Sequence, residues 1–286
     1  MQILVLLSLS LLWGSTFYLT KMLLPDFHPV SIVFFRCLLG GIALLPFFLW
    51  KKKKADFANL PLLISIALIS AGIPWTLMSI SMGGLDTTVS SVLNATGPIF
   101  GILLSSIVFK ITVTRQEVIS VIIGFTGIAI AFALGSKEAN DFQVSSAMLL
   151  LFSVNMYALS AVLAGKYLKG SSIFTISFAT MVVGTIFSSF FMMSIEPMSY
   201  KGLFVLENLW VFIVLGVFNS GLGNVLFYYL VKKGGAVFAL LITYLMPFTT
   251  LFLGVFLLNE PLGSGTLIAL FFVLGGLYLS KRRKKM

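Results

Sequence analysis

Apolar residues in this chain come in long blocks divided by short polar segments. Ten blocks approach the ~20 residues that carry an α-helix across a bilayer. They cover 3–21, 29–50, 60–82, 87–109, 117–134, 145–167, 173–194, 209–231, 236–258 and 262–280. The blocks are continuous. A membrane barrel would instead alternate apolar and polar residues over ~10 positions. The first block has no Lys or Arg before it and no small-residue cleavage site, so it reads as a retained helix rather than a signal peptide. The pattern predicts an all-α integral membrane protein with ten transmembrane helices.

Charge sets the expected orientation. With the N-terminus inside, the inner segments carry 15 of the 19 Lys and Arg: Lys51, Lys52, Lys53, Lys54, Lys110, Arg115, Lys166, Lys169, Lys232, Lys233 and the run 281–285. The outer segments carry Lys21, Lys137 and Lys201, and Arg36 falls within a span. Basic residues concentrate on cytoplasmic loops. Both termini are therefore expected in the cytoplasm, which requires an even number of spans, as ten is.

Composition removes other classes. Hydrophobic residues make up 59 % and charged residues 10 %, with mean hydropathy +1.08. Soluble domains carry about 25 % charge. The net charge of +10 sits in loop runs, which points to membrane topology and away from nucleic acid. Cys37 and His28 are the single cysteine and histidine. Disulfides within the chain, cysteine metal clusters and histidine triads are thereby excluded. No phosphate-binding P-loop is present. No metal, cofactor or enzymatic activity is expected.

The chain repeats. Ser90, Asn94, Pro98, Gly101 and Ser105 in span 4 correspond to Ala239, Thr243, Pro247, Thr250 and Gly254 in span 9, each 149 positions on. Their spacing puts each set on one helix face. Gly127 pairs with Gly276 at the same offset, while Gly72 pairs with Gly223, and Gly83 and Gly84 with Gly234 and Gly235, at 151. Two five-span halves are expected, 1–136 and 143–282, joined by a linker over 137–142. An odd number of spans inverts the second half, the architecture of many alternating-access transporters.

Several of these residues also carry a family resemblance. They are Leu12-Trp13-Gly14-Ser15-Thr16, Phe35-Arg36, Pro98, Pro247, Glu260 followed by Leu262, and the glycines of spans 5 and 10. On them the chain resembles an EamA-type member of the drug/metabolite transporter superfamily. The resemblance implies a central cavity lined by spans 1–4 and 6–9, with spans 5 and 10 peripheral, and movement of small metabolites, often outward. Two positions depart from the family pattern. Ile111 stands beside Lys110 where the first half often has an acid, and the second half has no partner for Arg36.

Candidate chemistry lies at depth. Arg36 is the charged residue well inside a span, ~10 Å from the outer end of its helix. Such residues usually face the bundle interior. It either clamps an anionic group such as a carboxylate or snorkels to headgroups and helix-end carbonyls. Asn94, Asn155, Asn219, Asn224 and Thr243 form a mid-depth polar set, suited to a wet cavity or to interhelical hydrogen bonds. Trp13, Trp75, Tyr157 and Tyr244 lie deeper than the usual interfacial belt. They are candidates for substrate contact beside ordinary packing. Pro98 and Pro247 are candidate gate hinges, since proline removes a helical hydrogen bond; static kinks are the alternative. Glu260, beside Pro261, reads as a loop cap.

The function expected is a secondary transporter, an exporter of small neutral or zwitterionic metabolites such as amino acids, working by alternating access around a midplane cavity. A channel or a non-transporting membrane scaffold is the alternative. The expected partners are a small-molecule substrate and the lipid bilayer of the cell membrane.

Overall fold

The computed structural model describes residues 1–57, 59–110, 141–193 and 206–260, with scattered positions in 115–127 and 263–275. Helices and turns account for the described residues, without strands. Eight helices are long and apolar enough to cross a bilayer: α1 (Gln2–Leu23), α2 (Pro29–Lys51), α3 (Leu60–Ser81), α4 (Thr87–Phe109), α5 (Gln143–Tyr167), α6 (Ile173–Met192), α7 (Leu206–Gly234) and α8 (Ala236–Leu257). They match expected spans 1–4 and 6–9. Spans 5 and 10 lie largely outside the described residues. Large apolar side chains stand exposed on the outside of the bundle, among them Leu11, Trp50, Ile107, Phe190, Phe252 and Phe256. Water would not tolerate such a surface, and hydrocarbon suits it. The chain is an integral membrane protein.

Local chemistry sets where helices begin. Pro29 opens α2, where its missing N–H costs nothing, and His28 Nδ1 accepts from Val30 N at 3.3 Å. Asn59 Oδ1 accepts from Leu62 N at 3.3 Å at the start of α3. Within the bundle, α3 and α7 each carry a π-turn, over Leu68–Gly72 and Val214–Leu222. Insertions of this kind loosen a helix and gather at functional sites. They fall at the positions paired through Gly72 and Gly223. Two more helices are broken. α4 divides into Thr87–Asn94 and Gly97–Phe109, with Pro98 in the first turn of the second piece. α8 divides into Ala236–Leu240 and Ile242–Leu257, with Pro247 inside the second piece.

The packing pairs off. α2 lies most extensively along α6. Helix α1 packs on α8 as α5 packs on α4; α2 packs on α7 as α6 packs on α3.

Hydrogen bonds clasp each end of the bundle. At one end, Gln2 Nε2 donates to Lys233 O at 3.4 Å, Lys166 Nζ to Val108 O at 2.6 Å, and Lys232 Nζ to Ser171 O. Asp56 is the centre of this end. Its carboxylate accepts from Lys53 N at 2.9 Å, Ser172 N at 2.9 Å and Thr175 Oγ1 at 2.6 Å. It thus caps α6 from the loop between α2 and α3. At the other end, Lys21 Nζ donates to Met82 O at 3.0 Å and Leu85 O at 3.1 Å. Glu260 caps α4 there. It accepts from Thr87 N at 2.9 Å, Thr87 Oγ1 at 2.7 Å, Thr88 N at 3.3 Å and Thr88 Oγ1 at 3.2 Å. A carboxylate at a helix N-terminus satisfies donors the helix cannot and meets the positive end of its dipole. Gly254 makes room for this cap, since a Cβ there would lie 2.8 Å from Glu260 Oε2 and from Thr87 Oγ1.

The Asp56 clasp is pH-sensitive. Burial alone would raise its pKa, but the hydrogen bonds from Thr175, Lys53 and Ser172 and the charge of Lys53 hold it below the ordinary aspartate value of 3.8. A folded pKa below the unfolded one gives stability that is complete above about pH 5 and lost as pH falls through the folded value. Thermal unfolding in detergent is expected to show this acid-side loss in the parent. Asp56→Asn should flatten it. An unchanged profile in the variant would assign the loss to other carboxylates.

Candidate functional site

A small cavity opens inside the bundle, of about 50 Å³, several times what one water needs. Its wall is built from six helices. Trp13, Thr16 and Phe17 come from one face of α1, where i, i+3 and i+4 meet. α2 supplies Arg36, and α3 supplies Pro74, Trp75 and Met78 just past its π-turn. Asn94 enters at the break in α4, and Ser153, Val154 and Tyr157 enter from α5. Thr243 and Met246 follow the break in α8. Irregular backbone therefore lies next to the cavity on three helices.

Arg36 is the single charged residue in this wall, 2 % exposed. Its Nε donates to Ser220 Oγ at 2.9 Å, and that hydroxyl passes its own proton to Leu215 O at 2.8 Å across the π-turn of α7. The guanidinium carbon stands 4.1 Å from the centre of the Trp75 ring. Its Nη1 has no hydrogen-bond partner. Among the described residues no carboxylate interacts with it. A hydrogen bond to a charged group contributes about 1.5–3 kcal/mol and a desolvated cation–π contact about 2 kcal/mol. An unpaired buried ion costs several kcal/mol. The protein therefore offsets part of the cost of this charge and leaves a donor over.

Tyr157 is the second unsatisfied group, its hydroxyl buried without a partner. Its ring packs edge-on to Trp13 at 5.7 Å and against Phe227 at 5.0 Å. Several other polar groups of the wall are engaged. Ser153 Oγ donates to Pro74 O at 2.7 Å, Thr243 Oγ1 to Leu240 O at 2.9 Å, and Asn94 Nδ2 points at Met246 Sδ at 3.6 Å.

Of the ten candidate contact residues, the structure gathers Trp13, Arg36, Trp75, Asn94, Tyr157 and Thr243 in one wall. Four lie elsewhere. Asn219 is fully buried and ties α7 to α1: its amide donates to Leu12 O at 2.6 Å, Thr16 Oγ1 at 3.0 Å and Ser15 Oγ at 3.1 Å. Its backbone carbonyl accepts from Trp13 Nε1 at 2.8 Å, while its side-chain Oδ1 is buried without a partner. Asn224 Nδ2 turns back on Ser220 O at 2.8 Å. Tyr244 packs in an apolar cluster with Leu85, Leu93 and Leu150, and Asn155 is half-buried on α5. The wall also includes Thr16, which belongs to the motif 12–16, Pro74, and Phe17, Met78, Ser153, Val154 and Met246, which read in the sequence as ordinary helix filling. Among the latter, the i+4 relation of Phe17 to Trp13 is the signal that could have flagged a wall residue. Pro98 and Pro247 are not among the wall residues. Each lacks the N–H that a straight helix would offer to the carbonyl four residues back, which belongs to Asn94 and to Thr243, both in the wall.

The EamA-like transporter family matches residues 1–133 and 144–282 of this chain. The chain belongs to that family. This transporter is 24 % identical over 273 residues to an "Uncharacterized transporter" of Archaeoglobus fulgidus, covering 95 % of each chain. It is 25 % identical over 288 residues to "Uncharacterized transporter YvbV" of Bacillus subtilis, covering 99 % of this chain and 92 % of the relative. A solved crystal structure superimposes with a TM-score of 0.72 at 13 % identity, over 98 % of this chain and 96 % of the other. That likeness concerns the fold. Family and relatives together identify a membrane transporter, with a small-molecule substrate and a bilayer around it.

Proposed function

We propose that the transporter is a secondary exporter of small carboxylate-bearing metabolites, a class that spans amino acids and their hydroxy and keto analogues, and that it works by alternating access around this cavity. The observation that carries the proposal is the unpartnered Arg36 Nη1 in a wall to which both halves of the chain contribute. A buried donor without an acceptor is costly, and a carboxylate supplies the missing acceptor. The aromatic wall of Trp13, Phe17, Trp75 and Tyr157 would cover the rest of the molecule.

Alternating access is supported by the paired features of the two halves, taken as 1–136 and 143–282. Each has a π-turn in its third helix and a break in its fourth, and the packing repeats under exchange of the halves. Inverted halves rocking about a shared site would expose it to one side and then the other. The carboxylate caps of Asp56 and Glu260 close opposite ends, and each crosses between the halves. Breaking one and keeping the other would open one end. Pro98 and Pro247 sit at or after the helix breaks and are the positions where bending would occur. An all-helical bundle with its basic loops inside suits the cell membrane, with both termini cytoplasmic.

Counterflow in proteoliposomes tests the proposal. Vesicles loaded with an unlabelled carboxylate metabolite should accumulate the labelled one transiently, with saturation and without ATP. Absence of exchange for every amino acid and hydroxy or keto analogue tried, in protein shown to be folded, would end it. Unsaturable flux at channel rates would replace it with a pore.

A further inference from the structure

Resting on the proposed transport site, we infer that the ligand completing the cavity is a monoanion, a small carboxylate without an ammonium group, and that zwitterions of the same shape bind at least tenfold more weakly. Charge balance carries this. Arg36 is the single charged side chain in the wall, and among the described residues no carboxylate interacts with it. Its neighbour in sequence, Cys37, packs against Gly184 of α6. The site without ligand therefore holds one uncompensated positive charge in an apolar bundle. A monoanion brings it to neutrality. A zwitterion leaves the same net charge and sets an ammonium near the guanidinium, where low dielectric strengthens repulsion.

Donor accounting agrees. Ser153 and Thr243 give their hydroxyl protons to protein carbonyls, while Arg36 Nη1 and the Tyr157 hydroxyl are buried donors of wall residues left without a partner. Spare donors call for an acceptor-rich group. A carboxylate only accepts, whereas an ammonium adds donors to a site that already has them in excess.

Lactate, alanine and alaninamide test this directly. They are nearly isosteric and carry net charges of −1, 0 and +1. Trp13 and Trp75 stand in the wall, so tryptophan emission of the purified full chain reports binding without transport. In chloride-free buffer near pH 7, lactate should quench or shift the emission at a concentration at least tenfold below that for alanine, and alaninamide should be silent. Arg36→Met should remove the lactate response. Should that variant fail to fold, Ser220→Ala keeps the charge and releases Nε. It should weaken lactate several-fold and leave the order of the three ligands intact. Alanine binding as tightly as lactate, any response to alaninamide, or an unaltered lactate response in folded Arg36→Met overturns the inference. Counterflow separates this from failure of the proposed function. Exchange of zwitterions without monoanions sinks the charge rule and leaves transport standing. Silence in both binding and counterflow, across the trio and the wider panel, removes both.

Discussion

Arg36→Ala is expected to lower counterflow by about 10- to 100-fold while the protein still inserts and folds. The magnitude follows from the loss of one hydrogen bond to a charged group, about 1.5–3 kcal/mol, each 1.4 kcal/mol being a factor of ten. Folding should survive because the guanidinium is uncompensated in the resting protein. Removing a buried charge that lacks a partner relieves its desolvation cost. Ser220 loses a donor, but its own proton remains committed to Leu215 O, and Trp75 keeps a neighbouring void. Flux and thermal unfolding should therefore move separately: flux collapses, and the unfolding temperature holds or rises. Equal flux in variant and parent would remove Arg36 from the transport path. A parallel collapse of flux and stability would make it a structural residue.

Gly223→Val should damage both fold and site. A Cβ on residue 223 would lie 2.4 Å from Trp13 Nε1 and 3.2 Å from Trp13 Cδ1. Real Cβ atoms do not approach so closely, so the indole must move. Moving it breaks the 2.8 Å bond from Trp13 Nε1 to Asn219 O and disturbs the contact of Trp13 with Tyr157. Overpacking costs about 1–3 kcal/mol, and a stranded buried N–H costs a similar amount. The variant should unfold several degrees earlier and lose most of its counterflow even well below that temperature. Gly170→Ala is the control, since a Cβ there meets nothing within 4 Å. It should behave as the parent. A Gly223→Val protein with parental stability would mean that α1 and α7 separate more readily than their packing indicates.

Much of the architecture was legible along the chain. The spans could be counted because hydrocarbon requires long unbroken apolar runs whatever they pack against. Glu260 read as a cap because a carboxylate beside Pro261 at a helix end has few other uses, and it does cap, though on α4 rather than on its own helix. Arg36 stood out because an ion inside a span is expensive anywhere. Asp56 is the counterexample: in the sequence it is one loop residue beside a run of lysines, yet it holds the start of α6 across the bundle.

What one sequence determined by itself, then, is what depends on distance along the chain: the apolar lengths of eight described helices, the paired glycines and prolines, and the depth of a lone guanidinium. Tertiary structure alone decided which polar groups would be consumed. Asn219 and Asn94 are the same residue type at similar expected depth, but four hydrogen bonds lock Asn219 between α7 and α1, while Asn94 looks into the cavity. The physical reason is that a hydrogen bond needs two partners a few ångströms apart. Residues 13 and 219 become such partners only when helices more than 200 positions apart are brought into contact.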